Sequence, residues 1–173
     1  AVWGNMERNL DVSVLHSSID IEDCLRSMND NYHGQNHPRR LLLASAIADS
    51  SVTIPGVTCV LDTCRSLRVS WDRERSRHPS KTVWASQSIC DQRKGRTGRT
   101  CTGRVFRLIP RSFYANRLQT YEEPQLQLSD CRNEIMGLLS SSSKQVPDPI
   151  TLLSKSLDPP PTLVVHEAVE YLR

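Results

Sequence analysis

The sequence predicts an α/β fold in which helices cover the faces of a parallel sheet. Two short apolar runs, Leu41–Ala44 and Val57–Thr63, are bounded by charged or small polar residues, which is typical of strands buried on both faces. A helical pattern precedes the first run, with Ile21, Leu25 and Met28 at positions i, i+4 and i+7. With 173 residues, the chain suits one domain of ordinary size and part of another.

Further strands are predicted from alternation and from turn residues. Asp11–Ser18 carries Val12 and Val14 on one side, as in a short strand. Leu67–Trp71 and Thr82–Ser86 flank a charged tip that contains proline, which indicates a protruding hairpin. The later stretch "GRVFRL" alternates again and predicts one more strand.

The predicted secondary structure changes from strands to helices after Pro124. The stretches "LSDCRNEIMGLL", "DPITLLSKSL" and "LVVHEAVEYLR" have helical patterns, separated by a serine run and by "DPPP". We therefore place a domain boundary near Glu122–Pro124, with residues 1–122 in the first domain and residues 123–173 in the second. The second piece is short for an independent domain, so we expect it to be truncated.

Positive charge is concentrated in one segment. Between Arg65 and Arg117 there are fourteen Lys or Arg residues and three acidic ones, so this segment has a net charge of +11. Because the whole chain has a net charge of +3, the remainder has −8. This asymmetry favours a polyanionic partner, although charge alone does not separate nucleic acid from nucleotide or solvent.

Composition also indicates the cellular compartment of the protein. No apolar run has the length of a membrane span, and the N-terminal stretch lacks the pattern of a secretion signal. The sequence begins without Met, as a fragment would. Six cysteines are present, without a C-x-x-C pair and without histidines at ligand-like spacing. We therefore expect no metal site, six buried and reduced thiols, and an intracellular location.

The densest charge lies in "DQRKGRTGRT". If Ser88–Arg99 is helical, Gln92, Arg96 and Arg99 fall at i, i+4 and i+7 and share one face. Two guanidinium groups and an amide on one face would clamp a triphosphate. The alternatives are a solvated basic face or a flexible Arg-Gly loop that binds RNA, and composition alone favours these.

The order of motifs resembles that of DEAH/DExH-box helicases. "QRKGRTGR" matches the Q-R-x-G-R-x-G-R signature (motif VI), "ASAIADSSVTIPGV" resembles T-N-I-A-E-T-S-x-T-I-x-G-V (motif V), and "VLHSS" resembles P-L-H-[SG] (motif IVa). "GRVFRL" matches the strand after motif VI, and "SLDPPP" matches the turn that enters the winged-helix domain. "VTIPGVTCVLDTCRSLRVSWD" is most similar to the plant DExH helicases that carry CCCH zinc fingers.

The resemblance implies a fold and roles. Residues 1–122 would be an N-terminally incomplete second RecA-like domain, and residues 123–173 the truncated start of a winged-helix domain. Arg96 and Arg99 would be arginine fingers for ATP, with Gln92 facing the phosphates and Thr53 near the nucleotide. Ser45 would contact the RNA backbone. His16, at the motif IVa position, would also bind RNA, with a structural role equally open. The Trp71–Val83 hairpin matches the position of the family's strand-separating hairpin.

The sequence departs from the family at several positions. Ser45-Ala46 replaces the Thr-Asn pair of motif V, Asp49 replaces its Glu, and Pro55 stands at a usually acidic position. The sequence contains neither a G-x-x-x-x-G-K-[ST] loop nor a D-E-x-H box. ATP and Mg²⁺ would therefore be held mainly by a first RecA-like domain, and we expect this chain alone to be inactive.

Two functions remain open from the sequence. One is that of the second motor domain of an ATP-dependent RNA helicase. Its partners would be RNA, ATP and the first RecA-like domain, and no contact with a membrane is expected. The second is a non-catalytic module, derived from a helicase, that binds RNA or another partner without ATP turnover. An upstream P-loop on the same transcript would decide for the first function.

Overall fold

Six strands, one 3-10 helix and six α-helices occupy the described residues of the computed structural model, which are 10–16, 18, 39–49, 54–99, 101–140 and 148–172. The chain divides into two units. The first is Ala1–Ser66 with Trp84–Tyr121, and the second is Leu67–Val83 with Glu122–Arg173. The second unit is therefore built from two separate stretches of chain.

The first parallel strand pair consists of β1 (Leu10–Leu15) and β2 (Arg39–Ala44). A 3-10 helix (Ala46–Asp49) follows β2 at once. The side chain of Leu15 is fully buried and packs with Ala48 of that helix. Because the strands are parallel, the residues that follow them lie at the same edge of the pair.

The second parallel pair consists of β3 (Cys59–Asp62) and β6 (Arg104–Arg107). Between these strands the chain forms α1 (Gln87–Lys94). The hydroxyl of Ser86 caps α1 by accepting a hydrogen bond from the Ile89 amide at 3.3 Å. Strand, helix and parallel strand together form the α/β arrangement that the apolar runs predict. The predicted burial of these strands on both faces is wrong in the described residues, because Leu41, Leu43 and Leu61 are 38%, 51% and 61% exposed.

A buried cluster supports α1 from below. Its members are small or medium apolar side chains. Helix α2 (Arg111–Arg117), which begins directly after Pro110, packs against them. The cluster comprises Cys64, Ala85, Cys90 and Leu118, with Ile89, Ile109, Phe113 and Tyr114 packed against it. This packing fixes the position of the helix that carries the first half of motif VI.

Strands β4 (Arg65–Val69) and β5 (Ser80–Trp84) pair to form the predicted hairpin. Antiparallel bridging between Asp72 and Arg77 closes the tip. The hairpin prediction is therefore confirmed, although each strand begins two residues earlier than the alternation indicated.

Four helices follow in the described part of the second unit: α3 (Gln125–Leu128), α4 (Arg132–Ser140), α5 (Pro149–Leu153) and α6 (Thr162–Tyr171). Their core contains Cys131, Ile135, Leu153, Val165 and Ala168. All three predicted C-terminal helices are present. No sequence pattern predicted the short helices α2 and α3.

The hairpin tip packs within this second unit. The Trp71 amide donates to the Leu128 carbonyl at 2.7 Å. The guanidinium of Arg132 lies 5.0 Å from the Trp71 ring and 4.0 Å from the Tyr171 ring. Arg73 pairs with the Glu167 carboxylate, with Nε at 2.7 and 2.9 Å from its oxygens. The tip is thus attached to both α4 and α6.

Some sequence predictions need correction or lie elsewhere. The helix predicted from Ile21, Leu25 and Met28 lies outside the described residues. The prediction that all six cysteines are buried is wrong, because Cys59 is exposed on β3 and Cys101 is partly exposed. Alternation along β3 explains the error, since its neighbours point to opposite faces. Every helix within the described ranges is too short or too polar to cross a membrane.

Candidate functional site

The motif VI segment is half helix and half loop. Helix α1 ends at Lys94, Gly95 is its C-terminal cap, and Gly98 has a φ of 81°. The predicted helix over Ser88–Arg99 is therefore wrong in its last five residues. Glycine explains the difference, because it favours helix ends and left-handed backbone and costs about 1 kcal/mol inside a helix.

Arg96 is the buried arginine of this loop. Only 9% of the residue is exposed, and its Nη2 donates to the Asp49 carbonyl at 2.7 Å. Burial lowers the pKa of Arg96, the nearby charge of Arg99 lowers it further, and the charge of Asp49 opposes both. Arg96 is therefore held against the end of the 3-10 helix in motif V, close to a second positive charge.

Gln92 and Arg99 are both exposed, Gln92 on α1 and Arg99 in the loop that follows. They do not share a helical face with Arg96, because the helix ends between them. Arg96 and Arg99 are nevertheless electrostatic neighbours, as the lowered pKa of Arg96 shows. The loop, and not a continuous helix, therefore places Arg99 near enough for its charge to lower the pKa of Arg96.

Arg93 joins motif V to motif VI. Its Nε and Nη2 donate to the two oxygens of Asp49 at 2.9 and 3.0 Å. Its Nη1 donates to Oδ1 of Asp62 and to the Arg65 carbonyl, both at 3.0 Å. Sequence analysis assigned Arg93 no role, although it is one of the fixed arginines of the signature. Asp49, one methylene shorter than the family's Glu, still reaches it.

Two predicted RNA-binding residues lie at the carboxyl ends of β1 and β2. Ser45 follows β2 and is exposed, and its amide donates to the Leu15 carbonyl at 2.9 Å. His16 directly follows Leu15 and is half-buried, and its Nδ1 accepts from the Ser18 amide at 3.1 Å. Both therefore lie at one edge of the parallel pair. The predicted nucleotide contact Thr53 lies outside the described residues.

Gly103 is a further residue that the sequence analysis missed. A Cβ atom there would lie 2.7 Å from Cβ of Thr97 and 2.8 Å from the Thr58 carbonyl. The position therefore requires glycine, which lets the strand entering β6 pass close to the motif VI loop. Gly103 and Thr97 lie on the wall of a shallow cavity of about 600 Å³, which Lys94, Gly95 and Gly98 also line.

This arrangement matches a known domain. The model of the helicase conserved C-terminal domain matches residues 3–101, more than half of the chain. The chain belongs to this helicase family. The match covers β1 to the motif VI loop, so it includes the site residues described above except Gly103, which lies just beyond it.

The curated relatives of this helicase domain agree with the resemblance. The chain is 44% identical to "Zinc finger CCCH domain-containing protein 4" of Oryza sativa subsp. japonica over 161 residues, and this covers 93% of the chain and 16% of the relative. It is 42% identical to "DExH-box ATP-dependent RNA helicase DExH8" of Arabidopsis thaliana over 164 residues, 95% of the chain and 16% of the relative. The similarity to plant DExH helicases with CCCH zinc fingers is confirmed.

A solved structure supports the fold of the helicase domain. The chain superposes on the E. coli DExH-box NTPase HrpB with a TM-score of 0.74 and 24% sequence identity. The alignment covers 95% of this chain and 19% of that one. The predicted RecA-like α/β class is therefore confirmed. The chain spans about one sixth of the length of the curated relatives it matches.

Proposed function

We propose that the chain is the second motor domain of an ATP-dependent RNA helicase. In this proposal Arg96 and Arg99 approach the phosphates of ATP as arginine fingers, and Gln92 and Thr53 complete the contacts to the nucleotide. Arg96 carries the proposal, because its guanidinium is held in place by the Asp49 carbonyl at 2.7 Å. An arginine fixed before the reaction needs no reordering when charge develops on the transferred phosphoryl group.

RNA is the second proposed ligand. Ser45 and His16 lie at the carboxyl end of a parallel strand pair, which is where ligands of open α/β sheets gather. The net charge of +11 between Arg65 and Arg117 favours a polyanion. We expect Ser45 to contact the sugar-phosphate backbone, with His16 beside it.

A partner domain completes the proposed site. Mg²⁺ and most of the phosphate contacts in P-loop enzymes come from a G-x-x-x-x-G-K-[ST] loop and an acidic box, and neither occurs in the 173 residues. A first RecA-like domain would supply them, with ATP between the two domains. Under the same proposal the helices after Glu122 begin a winged-helix domain, and the protein works inside the cell.

The test uses a chimaera. This chain replaces the matching 164-residue segment of Arabidopsis DExH8, and RNA-stimulated ATP hydrolysis is measured for the parent, Arg96→Lys and Arg99→Lys. Lysine keeps the charge but loses the planar fork. We expect each variant to lose about 10³-fold or more in turnover. Arg104→Lys is the matched control, because Arg104 is an exposed arginine on β6 and its turnover should stay near that of the parent.

Melting curves establish that each variant is folded. If both lysine variants hydrolyse ATP within a few-fold of the parent, the arginines are not fingers. The segment would then be a solvated basic surface, and the non-catalytic module becomes the better description. A chimaera without any RNA-stimulated turnover would also favour that module.

A further inference from the structure

Asp62, Cys64 and Cys90 come together in the interior of the first unit. One carboxylate oxygen and the two Sγ atoms lie within 4.8 Å of one another. The exposed fraction is 3% for Asp62 and 0% for both cysteines. Asp62 ends β3, Cys64 lies in the connection to β4, and Cys90 lies on α1. The fold, and not sequence spacing, assembles this cluster.

The two oxygens of Asp62 have different surroundings. Oδ1 accepts from the Cys64 amide at 2.8 Å and from Nη1 of Arg93 at 3.0 Å. Oδ2 is buried and makes no hydrogen bond at normal distance, although the Cys90 thiol, a weak donor, interacts with the same carboxylate. An unsatisfied oxygen on a buried carboxylate is costly, and native proteins seldom keep one without a ligand or ordered water. The carboxylate is therefore fixed through one oxygen and leaves the other available to a ligand.

Cys64 also occupies an unusual backbone conformation. Its φ is 54°, in the left-handed region that favours glycine. A side chain there costs roughly 1–2 kcal/mol. Strain of this kind is most often kept at sites of binding or catalysis. In this conformation the Cys64 thiol is close to both Asp62 and Cys90.

We propose that Asp62, Cys64 and Cys90 bind one thiophilic divalent cation of the zinc group, such as Zn²⁺ or Cd²⁺. Two thiolate sulfurs and one carboxylate oxygen form a donor set that suits these ions. The three ligands would carry three negative charges, two of which the cation would balance. Arg93 contacts Asp62 and is shared with Asp49, so one net negative charge would remain beside a fixed guanidinium.

The geometry requires small adjustments. Zn–S bonds of about 2.3 Å place two tetrahedral sulfur ligands about 3.8 Å apart. From separations of up to 4.8 Å, the donor atoms therefore need to approach by roughly 1 Å, and the larger Cd²⁺ needs less. With three protein ligands, water takes the fourth position.

Binding would release protons. Each thiol loses one proton when its sulfur bonds to the ion, so two protons leave for each ion bound. Because the ion competes with these protons for the sulfurs, affinity should increase with pH.

The test titrates Cd²⁺ into the full 173-residue chain after metal removal and reduction with a phosphine. Equilibrium dialysis gives the stoichiometry, and the ultraviolet charge-transfer band reports thiolate–cadmium bonds. We expect one ion per chain and about two protons released. Cys64→Ser and Cys90→Ser should each weaken binding at least tenfold. Cys131→Ser is the matched control for a buried thiol with positive φ, and Cys59→Ser the control for an exposed one.

A second measurement needs no variant. A short urea pulse exposes the thiols to iodoacetamide, and peptide masses then show which ones are alkylated. Bound Cd²⁺ should protect Cys64 and Cys90 but leave Cys131 unprotected. The proposal is overturned if no ion binds, if Cys64 and Cys90 are alkylated equally with and without Cd²⁺, or if they have formed a disulfide that excludes the ion. It is also overturned if folded Cys64→Ser and Cys90→Ser bind as the parent does.

Discussion

Arg93 and Asp49 form a two-pronged ion pair, with Nε and Nη2 of the arginine 2.9 and 3.0 Å from the two carboxylate oxygens. Both side chains are 15% exposed. Asp49 ends the 3-10 helix of motif V, and Arg93 lies near the end of α1 in motif VI. The pair therefore sets the distance between the two motifs, and Arg96 bonds to the same Asp49 through its carbonyl.

Replacing Arg93 with Gln should destabilise the first unit by about 3 kcal/mol, because it leaves the buried Asp62 and the largely buried Asp49 without their cation. Urea unfolding measures the change. Arg75→Gln is the control, since Arg75 pairs with Asp72 at the exposed hairpin tip and its loss should leave the unfolding curve nearly unchanged. Equal curves for Arg93→Gln and the parent would refute the bridging role.

Gly98→Ala and Gly137→Ala should change stability in opposite directions. Gly98 has a φ of 81°, so a Cβ there costs about 1–2 kcal/mol, although no atom lies within 4 Å of it. Gly137 lies inside α4 and also has open space around it, so alanine should stabilise by about 0.5–1 kcal/mol. Thermal melts of the two variants compare a conformational penalty with a conformational gain.

Alkaline pH should destabilise the chain. Cys64, Cys90 and Cys131 all have a pKa raised above the ordinary 9.0, with burial as the largest cause. The folded state then retains thiol protons that the unfolded state loses, so the free energy of unfolding is complete below pH 9.0 and decreases as the pH rises above it. Urea unfolding with a chelator at about pH 7 and about pH 9.5 measures the decrease.

Serine at Cys64 and Cys90 together should flatten this pH dependence, since the hydroxyl does not titrate in that range. Serine at the exposed Cys59 serves as the control. A decrease that is the same in all three proteins would show that other groups cause it.

Single-stranded RNA should bind weakly to the chain alone and with a strong salt dependence. The positive segment from Arg65 to Arg117 would release counterions, so log K should fall with log salt at about −0.7 for each phosphate neutralised. Fluorescence anisotropy of a labelled oligonucleotide measures the slope. Affinity that does not change with salt would mean that this charge faces solvent only.

Arg132→Gln should loosen the hairpin tip. The Arg132 guanidinium lies over both the Trp71 and Tyr171 rings, and contacts of this kind contribute about 0.5–2 kcal/mol each. Hydrogen exchange of the Trp71 amide, which donates to the Leu128 carbonyl, should become about tenfold faster. Arg117→Gln, an exposed change at the end of α2 in the first unit, should leave that amide unaffected.

The sequence predicted the parallel strands and the C-terminal helices because their signals are local. Alternation and short apolar runs located β1, β2, β3 and β6, and the hairpin followed from its charged tip. Helix α2 was missed, because "RSFYANR" mixes charged, aromatic and small residues without a clear period. Its position depends on packing against Leu118 and its neighbours, which no local pattern contains.

The sequence proposes some residues of the candidate site but not their geometry. The signature identified Arg96 and Arg99, but helical spacing placed them on a helix that ends at Lys94. Arg93 was missed because its partners, Asp49 and Asp62, are 44 and 31 residues away. The same holds for Asp62, Cys64 and Cys90, which only the turn after β3 and the return of α1 bring together.

The attachment of the hairpin tip has a consequence for protein synthesis. Arg73 and its partner Glu167 are 94 residues apart, and the ribosome adds about 5–20 residues each second. For roughly 5 to 20 seconds after Arg73 is made, the tip exists without the helix that holds it. For the first part of that interval Arg132 is also still to be added, so the nascent chain offers chaperones an aromatic, basic hairpin tip that lacks its partners on α4 and α6.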